Sequence, residues 1–251
     1  MAGKVQNGET GRKDSISVHA LTDEFNHSKA IFILDIDGTL LRTHEIDNEC
    51  YWDAVERVFG KQPDSRRLLD YTHVTDSGIL EQWCRQTLGR DPGIEESRQL
   101  RGLFLEMIQD AARIQPELFE PRAGLVEWLE QQHDTPDTHL AVATGSWGST
   151  ARFKLKAAGL DRFEMVLASA DDGVRRTDIM TTALTRLGLQ GLPRDWDINY
   201  IGDGPWDYHA SMELGWSFIG IAEDVRATSL RELGALRVHA DFRSLAGGAE
   251  P

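Results

Sequence analysis

Five short apolar runs constrain the fold of this chain more than any other feature. They are AIFIL (30–34), HLAVAT (139–144), FEMVLAS (163–169), INYIGD (198–203) and SFIGIA (217–222). Near-continuous hydrophobic runs of this length fit strands buried on both faces, as in a parallel sheet. Helix-like segments follow the later runs, at 147–159, 177–188, 206–215 and 227–234, and each ends at or near a glycine, a common helix stop. Strands alternating with helices predict an α/β architecture, a doubly wound parallel sheet of Rossmann-like type with helices on both faces.

One stretch breaks the alternation. About 100 residues between AIFIL and HLAVAT look helical almost throughout, at 48–60, 77–89 and 95–114, with a further helix at 123–132 that returns to the sheet. The expected organisation is therefore an α/β core over 29–44 and 119–251 with an inserted α-helical cap domain over 45–118. Residues 1–28 are polar and glycine-containing and are expected to form a flexible N-terminal segment.

Composition excludes several classes. The chain has 251 residues, 40% of them hydrophobic, enough for one sizeable core and a small insert. Its formal net charge of -14 repels nucleic acid and anionic membranes, so neither is an expected partner. No apolar run is long enough to span a bilayer, and the first residues carry no apolar signal segment. Two cysteines, Cys50 and Cys84, do not make a disulfide framework; free thiols in a cytoplasmic protein are the expectation. The same negative charge means that a phosphate site must generate its own local positive potential.

Four short signals fall where predicted strands end, the edge at which open α/β sheets bind ligands. DIDGTL (35–40) follows the first strand directly. It offers two carboxylates two residues apart, one able to act as nucleophile and the other to handle the leaving group's proton. ATGS (143–146) follows the second strand with a hydroxyl at Thr144 and a free backbone N–H at Gly145, a phosphate cradle, although Thr-Gly-Ser is also an ordinary turn and N-cap. Arg175 and Arg176 precede the helix TDIM and could neutralise phosphate charge; paired arginines in a loop are also commonly solvated. IGDGPWD (201–207) ends a strand at Asp203, with Asp207 four residues on. Asp35, Asp37 and Asp203 meeting at one edge would repel one another without a cation, and Mg2+ suits an open site of carboxylates and phosphate oxygens.

Taken together, these motifs resemble those of the haloacid dehalogenase-like hydrolase superfamily over about residues 30–222, and the helical insert is placed as in its phosphoglycolate phosphatase-like branch. The resemblance implies that Asp35 is the nucleophile that forms an aspartyl-phosphate. Asp37 would be the general acid/base and would ligate Mg2+ through its backbone carbonyl. Thr144 and Gly145 would hold phosphoryl oxygens, Asp203 would complete the metal site, and Asp207 would orient the basic residue. One departure stands out: the family usually has lysine at the third motif, where this chain has arginine. Register with Asp178 puts that role on Arg176, with Arg175 as the alternative.

The resemblance extends to the insert. Its segment YTHVTDSGIL (71–80) resembles the family's substrate loop, so Thr72, His73, Thr75 and Asp76 could reach a leaving group, while Thr75 also reads as a helix N-cap. Asp37 argues against carbon–halogen hydrolysis, and Lys61, the one lysine of the inferred cap, argues against phosphonate cleavage through an imine. Arg66 and Arg67 read mainly as a solvated face, Trp147 and Trp206 as packing or pocket walls, and His133, His139 and His209 lack metal-ligand spacing. The expected activity is Mg2+-dependent hydrolysis of a small phosphorylated metabolite. The alternatives are a phosphomutase on the same scaffold and a non-catalytic phospho-ligand-binding protein.

Overall fold

Strand β1 (Lys29–Leu34) lies in the middle of a six-stranded parallel sheet of order β3-β2-β1-β4-β5-β6. The computed structural model describes residues 29–189 and 196–246; the expectation for residues 1–28 lies outside them. The other strands are β2 (Thr138–Ala143), β3 (Val166–Ala168), β4 (Trp196–Gly202), β5 (Ser217–Ile221) and β6 (Val238–His239). β1 pairs with β2 on one side and β4 on the other, aligning Leu34 with Val142 and with Ile201. That register brings the ends of three motif-bearing strands to one rim.

The alternation of a strand sends neighbouring side chains to opposite faces. Ile31 and Ile33 of β1, with Tyr200 of β4, pack under α6 (Arg176–Arg186), α7 (Pro205–Leu214) and α8 (Asp224–Glu232). Leu34, Val142 and Ile201 face α4 (Leu125–Asp134), α5 (Gly148–Ala157) and α9 (Arg243–Ala246). Both faces are covered, which is why the strands read as nearly continuous apolar runs.

Between β1 and α4 the described chain forms α1 (His44–Phe59), α2 (Asp76–Leu88) and α3 (Ile94–Ile114), and no strand. α1 and α2 each stop at a left-handed glycine, Gly60 and Gly89. The apolar stripes of α1, α2 and α3 bury Trp52, Trp83, Leu100 and Phe104 in a separate cluster. Trp147, from the β2–α5 loop, joins that cluster, so the insert packs onto the rim of the sheet. Among the described residues no helix is long and apolar enough to cross a membrane.

Candidate active site

The site is built at the rim where β1, β2 and β4 end. Asp35 follows β1 directly, is 3% exposed, and donates its backbone N–H to Ile201 O at 2.9 Å. The chain then turns back on itself, with the Gly38 N–H bonded to Leu41 O at 2.9 Å. Gly38 has φ +87°, and a Cβ there would lie 2.0 Å from Asp203 Oδ2. Only glycine lets this turn pass so close to the carboxylate on the neighbouring strand end.

Asp35, Asp203 and Asp207 each present an oxygen within 4.8 Å of the others, all three buried. Asp203 Oδ1 is buried without a hydrogen-bond partner, while its Oδ2 lies 3.2 Å from Arg226 Nη1 and 3.7 Å from His44 Nδ1. Burial pushes the Asp203 carboxyl up to about 7, with the Asp35 charge adding to it. Burial likewise raises Asp35 to about 8, helped by Asp207 and opposed by Arg176. Burial and mutual repulsion outweigh the nearby arginines, so the cluster is short of positive charge. An oxygen-only cluster with an unpartnered buried oxygen fits a hard divalent cation such as Mg2+.

Arg176 is the first residue of α6 and is 9% exposed. Its Nη1 donates to Asp35 Oδ1 at 3.0 Å and lies 3.4 Å from Asp207 Oδ1. Its Nη2 donates to the backbone carbonyl of Val74, in the insert, at 2.9 Å. Asp207 is in turn fixed by the Gly204 N–H at 3.0 Å. Arg175 points elsewhere: it is exposed and pairs with Glu213. Of the two arginines, Arg176 is the one that reaches the carboxylates.

Asp37 sits two residues from Asp35 but in a different environment. Its Oδ1 accepts from Thr43 Oγ1 and from Lys154 Nζ, both at 2.6 Å, and its Oδ2 accepts from Ser146 Oγ at 2.8 Å. Burial works against its ionisation, yet the Lys154 ammonium and the hydroxyl donors outweigh it and hold this carboxyl below its ordinary value. Asp35 and Asp37 are thus driven in opposite directions, and without a cation it is Asp37 that is held ionised.

Thr144 and Gly145 line the same small cavity, of about 60 Å³. Thr144 is 1% exposed and hangs from β3 through its N–H to Ala168 O at 3.1 Å. A Cβ at Gly145 would meet Arg176 Nη2 at 2.7 Å and Val74 O at 2.9 Å, so this glycine makes room for the basic residue and the insert. Val74, Thr75 and Asp76 complete the lid of the cavity. Asp76 N–H donates to Gly145 O at 2.8 Å, and Asp76 Oδ2 accepts from the Trp147 N–H at 2.7 Å. Thr75 caps α2 through the Gly78 N–H at 3.1 Å and donates to Val174 O at 2.8 Å, so its hydroxyl ties insert to core. His73 lines a neighbouring cleft with Arg175 and His209 rather than this cavity.

This geometry is matched by sequence. The model of the haloacid dehalogenase-like hydrolase family aligns with residues 32–221. The chain belongs to that family. Solved structures share its fold. A hydrolase from Pseudomonas syringae is 23% identical, with 88% of this chain and all of that one covered and a TM-score of 0.64. CbbY from Rhodobacter sphaeroides, in complex with phosphate, is 19% identical over 86% of this chain and 96% of its own, with a TM-score of 0.62. A family IA hydrolase from Entamoeba histolytica is 15% identical over 86% and 94%, with a TM-score of 0.60. No curated protein matches the sequence.

Within this family frame, several site residues escape motif reading. Lys154 is fully buried and contacts Asp37 and Asp47; Asp47 lies in the first turns of α1. The available signal is a charge in an apolar stripe: Lys154 falls between Ala151 and Leu155, and Asp47 precedes the buried Cys50, Tyr51 and Ala54 at helical spacing. His44 stacks on Trp206 with ring centroids 6.0 Å apart, and both line the cavity. Trp147, by contrast, is packing: it is 1% exposed and its indole N–H donates to Ser77 Oγ at 2.9 Å. Arg66 pairs with Asp53 at 2.9 Å, and Arg67 and Lys61 are exposed.

Proposed function

We propose that this protein is a Mg2+-dependent phosphatase of small phosphorylated metabolites that works through an aspartyl-phosphate on Asp35. The observation that carries the reading is the meeting of Asp35, Asp203 and Asp207 with Arg176 under Thr144 at the rim of the sheet. In this reading Asp35 and Asp203, with the Asp37 backbone carbonyl, hold the cation. Bound there, Mg2+ supplies positive charge to the phosphoryl oxygens and to the nucleophile.

A carboxylate oxygen of Asp35 attacks phosphorus in line, and the bond from phosphorus to the ester oxygen breaks. The departing oxygen keeps the electron pair and takes a proton from Asp37. Water then attacks the phosphoryl group and gives its proton to Asp37. The bond from phosphorus to Asp35 breaks, and inorganic phosphate leaves with the carboxylate restored. Arg176 and the Gly145 N–H stabilise the charge spread over the equatorial oxygens. The insert acts as the cap: Val74, Thr75 and Asp76 exclude bulk water from the cavity. A larger cavity of about 400 Å³, sharing His44, Asn48, Leu68 and Trp206 with the first, gives room to the leaving group.

The test is phosphate release from a panel of metabolite phosphates with and without Mg2+, using wild type and Asp35→Asn. Turnover by the wild type and none by a folded variant is expected. An isomerised sugar phosphate in place of free phosphate would convert the reading to a mutase. Tight binding without turnover would convert it to a binding protein.

A further inference from the structure

The polar network behind Asp37 is larger than an acid/base residue requires. Lys154 Nζ carries three protons and meets three acceptors: Asp37 Oδ1 at 2.6 Å, Ser146 Oγ at 3.2 Å and the Asp47 carboxylate. Ser146 Oγ–H in turn donates to Asp37 Oδ2 at 2.8 Å, and Thr43 donates to Oδ1 at 2.6 Å. Oδ1 is thereby filled by two donors. Oδ2 takes one and keeps an acceptor position, so it is the oxygen offered to the cavity, which Asp37 and Ser146 line and Lys154 does not.

We infer that Lys154 is a positioning residue for the reaction: its buried ammonium locks the Asp37 carboxylate with Oδ2 toward the substrate and ties that orientation to the insert through Asp47. The inference rests on the phosphatase reading above. A purely structural role is a poor account of this lysine. A buried ion pair is weak evidence for stability, since an apolar side chain in the same space does as well or better. Here two of the three ammonium contacts serve Asp37 itself or Ser146, which donates to Asp37, and the third reaches Asp47. The three acceptors also come from three separate pieces of chain: the β1 turn, the loop after β2 and the first turns of α1. Lys154 rides on α5, the helix that the phosphate loop 143–146 leads into, so loop and lock are joined by one continuous segment.

The experiment compares kcat/KM for an aryl phosphate and an alkyl phosphate in wild type, Asp37→Asn and Lys154→Met, with Mg2+ present. An aryl oxygen leaves without help, whereas an alkyl oxygen needs the proton from Asp37. If Lys154 acts through Asp37, Lys154→Met raises the aryl-to-alkyl ratio by about 10-fold or more, in the direction of Asp37→Asn, general acid catalysis being worth about 10²–10⁴-fold. The double variant should show the ratio of Asp37→Asn and no further change. Because both substrates are measured on one sample, partial unfolding cancels from the ratio. Lys154→Gln, neutral and still able to donate, carries the same test if the methionine variant does not accumulate, with a smaller shift of the same sign. An unchanged ratio in active Lys154 variants overturns the positioning role and leaves the phosphatase reading standing. A wild type that releases phosphate from neither ester overturns both.

Discussion

Replacing Arg176 is the perturbation whose size the structure fixes best. Its guanidinium is the counter-charge for Asp35 at 3.0 Å and for Asp207 at 3.4 Å, and all three groups are at most 9% exposed. Arg176→Ala leaves two buried carboxylates facing each other, and breaking a buried pair in this way costs about 3–5 kcal/mol. For a chain of this size each kcal/mol lowers Tm by roughly 2–4 °C, so a fall of roughly 6–20 °C is expected. Arg175→Ala is the control. Its pair with Glu213 is half exposed, and such pairs contribute about 0–1 kcal/mol.

The pH dependence has a definite sign. Losing the guanidinium raises the folded-state pKa of Asp207, about 6 in the wild type, still further from its unfolded value of 3.8. Above pH 6 the wild-type carboxyl ionises while that of the variant stays protonated and keeps losing stability, so the gap between variant and wild type widens from pH 5.5 to pH 8. Arg176→Lys keeps the charge but replaces a fork with a point, and so gives up the bond to Val74 O. That lost charge-assisted bond is worth about 1.5–3 kcal/mol, or about 10–100-fold in the population of the docked insert. Thermal melts at the two pH values, paired with phosphate release, read all three variants. The reasoning fails if Arg175→Ala matches Arg176→Ala, or if Arg176→Ala melts with the wild type.

Three further outcomes follow from the same contacts. Gly38→Ala forces a Cβ to 2.0 Å from Asp203 Oδ2 at φ +87°, so it should lower Tm and abolish the Mg2+ response; a wild-type melt would show that the turn relaxes freely. Mg2+ should raise Tm of the wild type by binding the folded state alone, and EDTA should reverse it; a flat titration would remove the cation from the Asp35–Asp203 site. Burial pushes the thiols of Cys50 and Cys84 up to about 11, so a thiol reagent at pH 8 should label neither until the protein is unfolded, and rapid labelling of the native protein would contradict their placement.

The parts of the fold legible in sequence are those written in short-range pattern. AIFIL reads as a buried strand because both of its faces are covered, Ile31 and Ile33 by one helical layer and Leu34 by the other. The motifs reveal themselves for a related reason: Asp35, Thr144 and Asp203 each follow a strand end, and the parallel register with β1 central aligns those ends. The two residues of β6 carry too little pattern to be read, and α1 begins at His44, ahead of the apolar stripe, because its first turn faces the site rather than the insert's core. The partners of Lys154 were illegible for a deeper reason. A lysine between Ala151 and Leu155 looks like a solvated position until tertiary structure brings Asp37 and Asp47 to it from elements more than 100 residues away. The choice between Arg175 and Arg176 likewise turned on which way the start of α6 faces, a matter of packing rather than of spacing.

How a chain of net charge -14 would hold a phosphate turns on the separation of its buried acids. Asp35 and Asp37 are two residues apart, yet they belong to different electrostatic systems. Arg176 serves Asp35 and Asp207, while Lys154 serves Asp37 and Asp47. The first system is left short of positive charge, as the raised Asp35 and Asp203 carboxyls record, and a divalent cation removes that shortfall. In the second, the Lys154 ammonium and two hydroxyls hold the Asp37 carboxyl low, while burial and the Asp37 charge push Asp47 up to about 7. The unpartnered buried oxygen lies in the first system, at Asp203 Oδ1, so a cation is expected beside Asp35 and not against the Asp37 carboxylate. Metal binding should accordingly change the ionisation of Asp35 while leaving the Lys154 network as it stands. Carboxylate infrared bands of the protein labelled with 13C-aspartate, recorded with and without Mg2+, would test this. A Mg2+-induced band shift that survives Asp35→Asn and Asp203→Asn but is lost in Asp37→Asn would place the cation in the wrong system and undo the argument.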